Sequence, residues 1–435
     1  MQALYTFRLL DVLFEKRRPL ISTAIMGSYL SYRVANEPLN GNPLLNCIRR
    51  VAKDVFEKQD VHNPELSTVE ACIDTICSSL GTSAGKSPRR RFQEVFQRES
   101  SISEVEYERL LFAAAIRTDT LPIIQNCVTK DNQLLLRLDN LRSDNLIFGC
   151  YDELAARYGS KRVLEFLLTI GVPTINKGLR ARLFQFAIRP GRADIVRFLY
   201  DFKREEVPWG FGNPSSSEAG ILYNAQMTPS LEVLKFVHEL HKLYPNPRFL
   251  EWALVNGLSL CARAGRLDTI AYLIRRGAHP EGINDMGGPR YIGPIRCASV
   301  WGHVAVVEFL LEQGADPSVT IASAAEWGRT ELVRRLLNAG ITPVNALSGA
   351  AAGGYLVIVQ LLLDAGVDAN ESIGSESPLA GAIAKEQTAI FELLLERGAD
   401  LHSKGTAEEC VRRAKKDGLE SMLMLLKAHG VDVGE

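Results

Sequence analysis

The sequence has almost no surplus of charge of either sign. Its formal net charge is −1, from 50 Lys and Arg against 51 Asp and Glu. No bulk field therefore draws the chain to nucleic acid or to an anionic membrane. Long apolar runs are missing too. The stretch "PLISTAIMGSYLSY" (19–32) is too short and too rich in Ser and Gly to span a bilayer. Asp11 and Glu15 precede it, where a signal peptide carries positive charge. The eight cysteines are scattered and form no dense disulfide framework. Cys72 and Cys77 lie closest together, with no second pair or neighbouring histidine to complete a zinc set. Reduced thiols are expected, in an intracellular protein of the cytoplasm, the nucleus or both, without a membrane partner.

Recognisable catalytic chemistry is also absent. The sequence contains no Walker A loop, Gly-rich dinucleotide loop, G-x-S-x-G elbow or H-E-x-x-H pair. "HELH" puts His238 and His241 on one helical face, but no third ligand stands at a fitting distance. A solvated helix end is expected there. No catalytic residue, cofactor or metal is expected, and the chain reads as a non-enzyme.

What the sequence does contain is self-similarity. "SLCARAGRLDTIAYLIRRGAHP" (259–280), "RCASVWGHVAVVEFLLEQGADP" (296–317) and "ASAAEWGRTELVRRLLNAGITP" (322–343) share one pattern. It continues in "SGAAAGGYLVIVQLLLDAGVDA" (348–369), "AGAIAKEQTAIFELLLERGADL" (380–401) and "VRRAKKDGLESMLMLLKAHGVD" (411–432). Each copy has a short segment, usually rich in Ala, then a turn, an apolar segment and a Gly twelve residues after the turn position. Small residues let a first helix lie close to its neighbours, and Val, Ile and Leu triplets on a second helix supply the core. The turn Gly permits a tight reversal, and the later Gly is placed as a left-handed C-cap. A single copy cannot bury both its faces, so the copies must stack.

This pattern resembles the ankyrin repeat, and "WGHVAVVEFLLEQGADP" (301–317) is close to that family's consensus. Weaker copies stand upstream in "LAARYGSKRVLEFLLTIGVP" (154–173), "FAIRPGRADIVRFLYDF" (186–202), "SLEVLKFVHEL" (230–240) and "AAAIRTDTLPIIQNCV" (113–128). The resemblance implies an all-α fold, an ankyrin-repeat α-solenoid of about nine to ten divergent repeats. Degenerate repeats would fill 106–250 and the best ones 255–435, in an array spanning 106–435. The family's Thr-Pro-Leu-His tetrapeptide is nowhere intact; "SPLA" (377–380) and "GPIR" (293–296) come nearest. Its hydrogen bonds must be weakened or replaced, which implies lower stability per repeat. Turn positions fall at Gly265, Gly302, Gly328, Gly354, Glu386 and Gly418, with gaps of 37, 26, 26, 32 and 32 residues. A 26-residue gap leaves no room for the family's β-turn finger, whereas "EGINDMGGPRYIG" (281–293) lengthens one. "KREEVPWGFGNPSSSEAG" (203–220) reads as a second surface insertion.

In the family, the position just before the turn Gly points into a binding groove. Here it carries Tyr158, Trp301 and Trp327, preceded by Arg157, Val300 and Glu326, with Arg263 at that preceding position one repeat upstream of Trp301. These seven residues are the candidate partner-binding set. Aromatic anchors in a concave site have the character of interface hot spots. Two placements stay open for the tryptophans: rings facing the groove, or rings folded over their own repeats.

Residues 1–105 lack the repeat and read as a helical N-terminal cap, which a stacked array needs against solvent. Leu44, Cys47, Ile48, Val51, Val55 and Phe56 share a helical face. Capping boxes are expected at Ser67 with Glu70 and at Ser103 with Glu106. A linker near 81–92 carries the basic cluster Lys86, Arg89, Arg90 and Arg91, few for an import or nucleic-acid patch. The functional expectation is a scaffold whose groove holds another protein, with no direct nucleic-acid partner. Divergent arrays behind a helical N-terminus also resemble ankyrin-type proteins of filamentous fungi. Those include regulators of secondary-metabolite gene clusters, which makes a transcription coregulator one alternative and a ubiquitin-ligase substrate adaptor another.

Overall fold

The computed structural model describes residues 23–59, 64–78, 100–130, 150–170, 173–202, 217–243, 254, 257–281, 293–371, 377–403 and 405–434. The described residues form helices and no strand. The linker 81–92, with its basic cluster, lies outside them, as do most of the two insertions. The chain packs as two units, Met1–His238 and Glu239–Glu435.

The first unit opens with α1 (Thr23–Asn36), α2 (Pro43–Glu57) and α3 (Val69–Cys77). Asn42 starts α2: its side chain accepts from the N–H groups of Leu44 and Leu45 at 2.9 and 3.1 Å, and Pro43 takes the first helical position. Leu44, Cys47, Ile48, Val51 and Val55 are buried as expected. Phe56 is not: it is 38% exposed, because one step beyond Val55 turns it about 100° off the buried stripe. Thr68, not Ser67, caps α3, accepting from the N–H of Ala71 at 3.1 Å. The cap thus falls one residue late, and Glu70 loses the reciprocal position. The Ser103–Glu106 capping box does form, at the start of α4 (Glu104–Thr118). α2 and α3 both pack on α4. The Tyr107 hydroxyl donates to Asp54, and Arg117 Nη2 donates to Ser78 Oγ at 3.3 Å.

Helix pairs follow: α4 with α5 (Leu121–Lys130), α6 (Tyr151–Tyr158) with α7 (Lys161–Ile170), and α8 (Pro173–Ile188) with α9 (Ala193–Asp201). α10 (Ser217–Met227) and α11 (Leu231–Leu243) come next, so the insertion expected over 203–220 is already helical at its end. Buried charge distinguishes this unit. Asp152 accepts from Arg182 Nε at 2.8 Å, and Glu153 pairs with Arg157 at 3.3 Å. Arg180 donates to the carbonyls of Leu199 and Tyr200 at 2.8 and 3.0 Å, satisfying the end of α9. His238 also corrects an expectation: it is 1% exposed, so it is a packed side chain and not part of a solvated helix end.

The second unit is more regular. Segment 257–263 precedes α12 (Leu267–Arg275), and five pairs follow: α13 (Pro294–Trp301) and α14 (Val304–Glu312), α15 (Thr320–Glu326) and α16 (Thr330–Asn338), α17 (Leu347–Gly353) and α18 (Leu356–Asp364), α19 (Pro378–Ala384) and α20 (Thr388–Glu396), and α21 (Thr406–Asp417) and α22 (Glu420–Ala428). First helices pack on first helices, α13 on α15, α15 on α17, α17 on α19 and α19 on α21. Ala298, Ala324, Ala325, Ala350, Ala351, Ala380 and Ala382 are fully buried between them. Gly381 marks the closest approach, since a Cβ there would lie 3.2 Å from the backbone of Ser348 and Ala352. Second helices bury Val306, Val307 and Leu310, then the corresponding residues of each later pair through Ile390, Phe391 and Leu394. All six turn positions have positive φ, from 54° at Glu386 to 78° at Gly354. The glycines twelve residues later do too. Between α14 and α15 the link holds only a single 3-10 turn, Pro317–Val319, so no finger projects there.

The missing tetrapeptide is replaced in part from an unexpected place. Ser377 still caps α19, accepting from the N–H of Ala380 at 3.2 Å, but Gly293 gives α13 no such bond. Between repeats, the residue just after the turn position reaches back to the repeat before it. His303 Nε2 lies 3.0 Å from the Arg263 carbonyl, and Arg329 Nε donates to the Val300 carbonyl at 2.7 Å. In the first unit Arg192 Nη1 donates to the Arg157 carbonyl at 2.9 Å in the same register. Tyr355 occupies the equivalent place with its ring against Gly328 and Gly353.

Candidate functional site

Trp301 is the last residue of α13 and Trp327 the C-cap of α15. They stand at one register on consecutive first helices that pack on each other, and packed helix axes lie about 8–10 Å apart. The rings are not core: Trp301 is 48% exposed and Trp327 51%. Each is held at a helix end followed by a left-handed Gly, so the chain reverses immediately beyond it. The neighbouring first-helix surface is made of small residues. Ala322, Gly349, Ala352 and Ala384 are partly exposed, and Gly353 is exposed.

Val300 is half-buried, and its carbonyl is taken by Arg329. Glu326 is exposed, and its Cβ lies 3.3 Å from where a Cβ on Gly349 would be. The Arg263 guanidinium lies 5.2 Å from the centre of the Trp301 ring, within cation–π range. Beneath this end of the row, Cys297 is half-buried, with Arg263 and Arg296 close enough to act on its thiol. Burial pushes that thiol up, against the pull of both guanidiniums. Among the described residues, neither Arg263 nor Arg296 is ion-paired with a carboxylate.

The other two expected site residues belong to the first unit. Arg157 is largely buried, paired with Glu153, and its carbonyl is taken by Arg192. Tyr158 is half-buried, with the Arg117 guanidinium 4.2 Å from its ring centre. Arg117 was not in the expected set, although "AAIRTDT" places it in the register of Arg263. The two stacks share one geometry: an Arg two residues before the turn position covers the aromatic of the following repeat.

The described residues contain no group of three or more His, Cys, Asp or Glu able to hold a metal. Burial pushes the thiols of Cys72 and Cys261 up to about 11 and that of Cys410 to about 12, which makes poor nucleophiles of them. None of the described helices is long and apolar enough to cross a membrane.

Models of the ankyrin repeat match residues 294–322, as one repeat, and 321–405, as three copies. Those residues take in α13 to α20. A curated relative, palmitoyltransferase AKR1 of Lachancea kluyveri, is 40% identical over 68 residues, which is 16% of this chain and 9% of that protein. The chain therefore matches only a small fraction of that relative's length, in its ankyrin part, and the match supports no enzyme activity. The solved ankyrin repeat domain of human ASB11 is 23% identical, with a TM-score of 0.34, over 41% of this chain and 85% of that one.

Proposed function

We propose that this chain, which carries ankyrin repeats across residues 294–405, is a non-enzymatic scaffold that holds a protein segment against its first helices around Trp301 and Trp327. Ankyrin repeats generally bind other proteins. The observation that carries the reading is the pair of half-exposed tryptophans on stacked helices. Burying a Trp removes roughly 150–250 Å² from water. The half of each ring still exposed is thus worth about 2–3 kcal/mol to a partner that covers it, at about 25 cal/mol per Å².

Helices α1–α3 then serve as the cap of the first unit, a role supported by the packing of α2 and α3 on α4. The coregulator alternative rests on the resemblance to ankyrin-type proteins of filamentous fungi alone, and the basic cluster at 86–91 lies outside the described residues. Affinity purification from the native host, comparing wild type with the Trp301→Ala/Trp327→Ala variant, tests the scaffold reading. Proteins retained by wild type and lost by the folded variant are the expected result. An identical set from both would contradict it.

A further inference from the structure

Resting on that reading, we infer that the occupant is an extended segment bearing two prolines three residues apart and a carboxylate side chain toward the Arg263 end. The spacing is the first argument. A polyproline II strand repeats every three residues at about 3.1 Å each, so equivalent side chains recur every ~9.3 Å. Consecutive first helices repeat at roughly 8–10 Å. Rings at one register on α13 and α15 therefore match successive turns of such a strand, which docks on aromatic-lined grooves with little ordering cost.

Width is the second argument. A helical occupant is about 10–12 Å across and needs a broad apolar face to lie on. Here the aromatic surface is a single file, with exposed Glu326 beside Trp327 and small residues around it. That suits the narrow edge of an extended strand, and the small, partly exposed Ala322 lets its backbone come close.

Charge complementarity supplies the third. Arg263 and Arg296 are both exposed and close to Cys297, without a carboxylate partner among the described residues. Arg263 is also stacked on Trp301, so its guanidinium is already oriented beside the ring. A peptide carboxylate arriving there forms a charge-assisted pair next to the aromatic contact. Glu326 disfavours a second acid between the prolines.

The test is selection of random twelve-residue displayed peptides on the full chain, with counter-selection on the Trp301→Ala/Trp327→Ala variant. A second round uses Arg263→Gln, an exposed substitution that leaves the array folded should the double variant not fold. The expected winners carry P-x-x-P with Asp or Glu on one flank. A synthetic winner should bind wild type at least tenfold tighter than either single Trp variant or Arg263→Gln. It should lose as much when one proline is moved by a residue. Winners without prolines, or helix-forming winners, that still need the tryptophans would overturn this inference while leaving the scaffold reading intact. Peptides that bind every variant equally would overturn both.

Discussion

Two glycines of the second unit share a backbone conformation but not their surroundings, and alanine at each separates the two costs. Gly328 has φ 71° and Gly340 φ 77°. The left-handed penalty for an L residue, about 1–2 kcal/mol, applies to both. A Cβ at Gly340 meets nothing within 4 Å, whereas one at Gly328 would lie 2.4 Å from a Tyr355 ring carbon. That ring cannot simply slide toward α17, because Gly353 bounds its other edge just as closely. Displacing it adds about 1–3 kcal/mol of overpacking. Gly340→Ala should therefore cost about 1–2 kcal/mol and Gly328→Ala about 2–5. Urea unfolding of both variants gives the comparison, and adding Tyr355→Ala to each completes a double-mutant cycle. Tyr355→Ala should recover part of the loss at Gly328 and none at Gly340. Equal costs at the two sites, or no coupling with Tyr355, would refute the claim that the residue after the turn packs each repeat onto the one before.

Glu386 holds a turn position at φ 54° without being glycine. Glu386→Gly should raise stability by up to about 1 kcal/mol by removing the left-handed strain, less what is lost with the exposed bond from Ser421 Oγ to its carboxylate; a lower urea midpoint would contradict this. Arg329→Ala should cost about 1–2 kcal/mol, since it orphans the half-buried Val300 carbonyl, and Arg329→Lys should not restore it because the donor is Nε; equal midpoints for wild type and Arg329→Lys would count against the fastening role. Cys410 is raised from 9.0 to about 12 by burial and then by Glu409. The folded chain keeps a proton that the unfolded chain releases near pH 9, so stability should fall as pH rises from about 9 toward 12 and less so in Cys410→Ala; parallel pH profiles for the two would contradict it.

The spacing of apolar triplets and of paired glycines was enough to read the helix pairs of the second unit, because both requirements are local. Glu386 was legible in the same way, as a turn position found by register despite its residue type. Gly159 was not: its φ is −62°, and it ends α6 by an N–H bond to the Ala155 carbonyl without a left-handed reversal. A Gly letter marks permission for positive φ, not its use. The fastening by His303 and Arg329 was hidden for another reason. It joins residues 40 and 29 apart, so its geometry exists only once neighbouring repeats have stacked. Arg117 over Tyr158 is of the same kind. At the candidate surface, register gave the address of Trp301 and Trp327, whereas their half-exposure and the guanidinium over Trp301 needed the packed structure. Burial of His238 escaped because a polar letter near a helix end carries no information about what later packs over it.

The scaffold reading depends most directly on what Trp301 and Trp327 contribute to binding and to folding, measured on the same samples. Titration of a captured partner into wild type, Trp301→Ala and Trp327→Ala should show at least tenfold weaker binding for each variant, the equivalent of about 1.4 kcal/mol. Their melting temperatures should stay within about 2–4 °C of wild type, the shift expected for a loss of about 1 kcal/mol. Melting points lowered by much more, with affinity of the folded protein unchanged, would instead return both rings to the packing of the array.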